Sequence, residues 1–129
     1  DRLYSRYSNN YMDTQEGKNL AVPHCIKGSE GHGLCDELVP LLDGKKAFEK
    51  LTLGSIEFAE YLKDNASESS TIEVCGLVSN ICGISNAVLA KAAAPEAEVI
   101  VDSKLTASFA PDLHQAILDV LKGIQVTVL

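Results

Sequence analysis

With 129 residues, 46% of them apolar and 22% charged, the chain has enough apolar material for one core and lacks the composition of a disordered protein. A net charge of −7 argues against nucleic acid or an anionic membrane as a partner. No apolar run approaches the ~18 residues of a membrane span, no secretory signal peptide is visible, and a cytoplasmic protein is expected.

The first third, residues 1–33, is polar and rich in Tyr, Asn and Gly, with weak periodicity outside 20–26. It is predicted to be extended and largely loop, leading into a short helix near 34–42. Residues 46–49 suit a strand end. Ser55 then reads as the N-cap of a helix that buries Phe58, Ala59 and Leu62 and ends near Asp64. After a polar loop at 65–70, a strand is predicted over 71–78, with Ile72, Val74, Leu77 and Val78 buried. A polar Ser79-Asn80 turn leads into a helix over 81–93, stopped by Pro95. A strand at 98–102, a helix at 112–122 capped by Gly123 and a final strand at 125–129 complete the chain. Strands alternating with amphipathic helices imply right-handed βαβ crossovers, a parallel sheet and a single α/β domain over 1–129. In such sheets ligands bind at the carboxyl ends of strands.

Cys82 stands at such an end, in the first turn of the 81–93 helix. A thiol there meets the positive end of the helix dipole and unpaired backbone N–H groups, which favour thiolate. The same N–H groups can hold an oxyanion while the sulfur attacks a carbonyl. A small buried cysteine packed where a helix meets a sheet is the competing reading, and local sequence leaves both open. The four cysteines, at 25, 35, 75 and 82, form neither a CxxC pair nor a zinc-finger spacing and read as reduced thiols.

Four segments, in order, carry a resemblance that runs over essentially the whole length: KNLAVPHCIKGSEG (18–31), FEKLTLGS (48–55), GLVSNIC (76–82) and VIVDSKLTAS (99–108). They resemble the isochorismatase-like cysteine hydrolases, the superfamily of nicotinamidase, isochorismatase and N-carbamoylsarcosine amidase. The resemblance implies a three-layer αβα, Rossmann-like parallel sheet. It implies Cys82 as nucleophile, Lys50 beside it to stabilise negative charge, and an oxyanion hole formed by the Val78 and Cys82 N–H groups. It also implies a cis peptide at Leu77–Val78.

The departures are informative. The family's catalytic Asp, at the end of its first strand, has no counterpart: Asp1 is too early, and Asp13 lies in a loop resembling a later segment. The N-terminal part of the fold is therefore expected to be incomplete in this sequence. Nicotinamidases bind a divalent ion through an Asp, a His and a later loop His. Here Ser5 and Tyr7 fall at or near the first two positions, neither a usual ligand, and only His24 matches. No metal or other cofactor is expected, and His24 is expected to be a hydrogen-bonded structural residue. His32 and His114 are expected to be exposed. Asn80 stands where many relatives have Asp and can still cap the helix.

The resulting expectation is a metal-independent cysteine hydrolase acting on a small, nicotinamide-like amide, with further copies of the chain as partners. A catalytically silent scaffold or oligomer subunit is the alternative from another class. Isochorismatase-type vinyl-ether hydrolysis, which does not need the thiol, is the third.

Overall fold

The computed structural model describes residues 3–7, 13–19 and 22–129, the first of these by their backbone. They fall into two compact units that divide between Thr52 and Leu53.

In the first unit, β1 (Leu3–Tyr7) pairs in parallel with β2 (Lys46–Lys50), Leu3 opposite Lys46 and Tyr7 opposite Lys50. The predicted loop thus contains a strand. Its sequence, LYSRY, places Ser and Arg among β-formers and gives no clean alternation, so pairing with β2 decides its state. On β2 the period of two turns Phe48 and Lys50 inward, whereas Ala47 and Glu49 stay exposed. Between the strands lie α1 (Gln15–Asn19), a 3₁₀ turn at Glu30–His32 and α2 (Val39–Leu42). The predicted helix at 34–42 therefore survives only in its last four residues. Lys27 anchors the connecting loop to β2 through an ion pair with Glu49, 2.7 Å long.

The second unit carries the alternation read from the sequence. α3 (Ile56–Asn65) starts at Ser55, whose hydroxyl accepts the Phe58 N–H at 3.1 Å. β3 (Thr71–Glu73), β5 (Glu98–Val101) and β7 (Thr127–Val128) form a parallel sheet in the order β3-β5-β7. β4 (Gly76–Leu77) and β6 (Thr106–Ala107) form a separate parallel pair. The strand predicted over 71–78 is therefore two strands in two sheets. The Val74 N–H still bonds to Ile100 O (2.9 Å), but Gly76, at φ +106°, turns the chain away onto β6. Leu77, expected to be buried, is 72% exposed.

α4 (Ile84–Ala93) and α5 (Pro111–Gly123) connect these strands. Their inner faces meet β5 in one apolar cluster of Leu62, Ala87, Ala90, Val99, Val101, Leu118, Leu121 and Val126. Alanines on the buried face of α4 let its backbone approach the sheet closely, and Ala87 and Ala90 are fully buried. α5 runs through Gly123 instead of being capped by it. Gln125 takes the left-handed position (φ +66°), which delays the last strand to Thr127. Among the described residues no helix is long and apolar enough to cross a membrane.

Candidate functional site

Cys82 lies in a wide π turn, Ser79–Gly83, that runs directly into α4, so the predicted helix begins with a turn of different pitch. The turn follows β4, and the Leu77–Val78 peptide before it is cis, at the bond the resemblance implies. Val78 closes the turn: its carbonyl accepts the N–H groups of Ile81 (3.0 Å) and Gly83 (2.9 Å). A Cβ on Gly83 would stand 3.1 Å from that carbonyl oxygen, which explains the glycine next to the thiol.

Side chains from three directions hold the turn. Ser79, 3% exposed, bonds through Oγ to His114 Nδ1 at 2.8 Å. Asn80 Oδ1 accepts the Ser108 hydroxyl at 2.6 Å, so Asn80 is held from the β6–α5 loop and does not cap α4. Asn86, in the first turn of α4, donates from Nδ2 to the Cys82 carbonyl (2.8 Å) and to Leu53 O (3.3 Å), and its Oδ1 accepts the Ser55 N–H (3.0 Å). This buried amide ties the cysteine's backbone to Leu53 and Ser55, the segment that leads into α3. Buried amides without such partners are strongly disfavoured, so the network specifies one arrangement.

Cys82 itself is half-buried, and none of the four cysteines is in a disulfide. Ser79 and Gly83 of the turn also line a small apolar cleft together with Cys75, Val101 and Leu121. Cys75 is exposed on its other side; partial desolvation at the cleft pushes its thiol pKa up, and Glu73 adds to the effect.

In the first unit, Lys50 ends β2 and is 6% exposed. Its Nζ donates to Thr52 O at 3.0 Å. Burial of an ammonium is unusual for lysine and sets Lys50 apart from the other lysines. The structure thus groups Val78 and Cys82 in one turn and places Lys50 in its own unit. His24 is half-buried, with Nδ1 2.9 Å from Val22 O. The side chains of Ser5 and Tyr7 and all of Asp1 lie outside the described residues; Asp13 is exposed.

Two histidines differ from expectation. His32 is half-buried, with Nε2 shielded and without a hydrogen-bond partner among the described residues. His114 is half-buried on the side of α5 that also carries Leu118 and Leu121. The i, i+4, i+7 spacing of these three residues was the signal that His114 faces inward, and Asn86 shares the same pattern with Ala90 and Ala93.

The isochorismatase domain family matches residues 2–129, and the chain belongs to that family. No curated protein matches the sequence significantly. Among solved structures, the fold is similar to nicotinamidase PncA from Bacillus subtilis, with a TM-score of 0.82 at 24% identity over 98% of this chain and 72% of that one. The pyrazinamidase/nicotinamidase from Streptococcus mutans UA159 gives a TM-score of 0.80 at 20% identity, over 98% and 74% of the two chains. The pyrazinamidase of Pyrococcus horikoshii, solved in complex with zinc, gives 0.78 at 16% identity, over 98% and 73%. These likenesses establish the mixed α/β fold with parallel sheets.

Among the described residues no cluster of three or more His, Cys, Asp or Glu could hold a metal.

Proposed function

We infer that the protein is a hydrolase of small amides in which Cys82 is the nucleophile, with nicotinamide-like compounds as the nearest substrate class. The observation that carries this reading is the turn at Ser79–Gly83, which holds a half-buried thiol between a strand end and a helix and is fastened at residues 79, 80 and 82. Preorganisation of this kind is what attack on a carbonyl demands. The family match and the nicotinamidases of the same fold support it.

In this reading the Cys82 sulfur forms a bond to the amide carbon, and the oxyanion is held by the Val78 and Cys82 N–H groups. The C–N bond then breaks, with the thiol proton leaving on the amine. Water adds to the resulting thioester, releasing the acid and restoring the thiol. The resemblance gives Lys50 the role of stabilising the negative charge. The proton carrier that the resemblance places on an Asp has no counterpart in this sequence. The reading takes residues 1–129 as one domain of a cytoplasmic homo-oligomer, the last two properties carried over from composition and resemblance.

The test uses nicotinamide as the probe, with ammonia release and the intact mass of the protein as readouts. Acid quenching during turnover should trap an acyl adduct on the peptide containing Cys82, and Cys82→Ala should abolish both adduct and ammonia. Absence of both from the wild-type chain across a panel of small amides would overturn the amidase reading in favour of the silent scaffold or the thiol-independent vinyl-ether hydrolase.

A further inference from the structure

α5 reaches the turn that carries Cys82 through two consecutive residues. His114, in the second turn of the helix, bonds Ser79 at 2.8 Å. The next residue, Asn80, accepts from Ser108 at 2.6 Å, and the same Ser108 hydroxyl accepts the N–H of Ala110, the N-cap of α5, at 2.9 Å. Helix and lead-in therefore grip the chain at both residues that precede Ile81 and Cys82. Nothing in packing alone requires this. The same side of α5 is filled by Leu118 and Leu121, and an apolar residue at position 114 would bury without needing a partner.

We propose that His114 is a positioning residue for Cys82, acting through the Ser79 hydroxyl. The hydrogen bond adds direction to a site that apolar contact would only fill. Ser79 opens the π turn, so the orientation of its backbone sets how the following N–H groups and the thiol point. Either imidazole tautomer serves, because a serine hydroxyl donates or accepts. The role rests on the reading of Cys82 as nucleophile, and it concerns how the thiol is presented, with His114 touching no reacting atom.

The experiment measures iodoacetamide modification of each cysteine in the full chain at pH 7, resolved by peptide mass spectrometry. The exposed Cys35 serves as internal standard, and thermal unfolding is recorded in parallel. His114→Leu and Ser79→Ala should each lower the Cys82/Cys35 rate ratio by about threefold or more, since small misplacements of a reacting group weigh heavily on rate. His114→Asn, which sets an amide atom where Nδ1 stands, should restore the ratio to within about twofold of wild type. A ratio that is unchanged or raised in both variants, or that stays low in His114→Asn, overturns the proposal. The nucleophile reading fails separately if wild-type Cys82 reacts no faster than Cys35; the variant ratios still decide the role of His114 in that case.

Discussion

Cys75 and Cys82 stand seven residues apart in the chain and meet different surroundings. Cys75 borders the apolar cleft two residues from Glu73, and burial followed by that negative charge raises its pKa. The native state therefore holds the thiol proton more tightly than the unfolded chain. Its contribution to stability is complete below the unfolded pKa and is lost as pH rises through the raised value. Cys75 should react with iodoacetamide more slowly than Cys35 at pH 8, and Glu73→Gln should speed it by roughly twofold, as peptide mass spectrometry can follow. Lys50 offers a sharper test of the chemistry. Lys50→Met removes the buried ammonium and its bond to Thr52 O. If the ammonium stabilises the oxyanion, ammonia release should fall by about 10²-fold or more. The cost in stability should be about 1 kcal/mol, because the half-buried hydrogen bond to Thr52 O is lost. Urea unfolding of the same variant separates the two effects.

At the scale of elements, capping and backbone sign govern where segments begin and end. Ser55 is 2% exposed, accepts the Phe58 N–H and donates its own N–H to Asn86. Ser55→Ala removes only the first of these bonds and should destabilise the second unit by about 1 kcal/mol in urea titration. This cap was legible in the sequence because every participant lies within four residues. The break of the 71–78 segment was not. Its apolar pattern is continuous, and the switch from β5 to β6 depends on Gly76 at φ +106°, which has open space around its Cβ position. Gly76→Ala meets strain without any clash and should cost about 1 kcal/mol or more, read from the same titration. The strand β1 was hidden for a related reason, since five residues with two polar side chains become a strand only through β2.

At the scale of the whole molecule, the cluster around β5 carries the stability of the second unit. Leu121, 2% exposed, joins α5 to that cluster beside Leu118 and Val126. Leu121→Ala should destabilise by about 2–5 kcal/mol, measured by urea unfolding, with the spread set by how far the site can collapse. The sequence by itself determined the parallel α/β class, the family, and the four segments that place Cys82, Lys50, Val78 and His24, because local periodicity and motif order encode them. The tertiary structure alone decided which partners His114 and Asn86 meet at the cysteine turn and that Asn80 bonds sideways to Ser108 instead of capping α4. Those contacts join residues 28 to 35 positions apart or depend on which side of a helix meets the sheet. A hydrogen bond of that kind is set by the packing that brings its partners within about 3 Å, and no local pattern of residues encodes such packing.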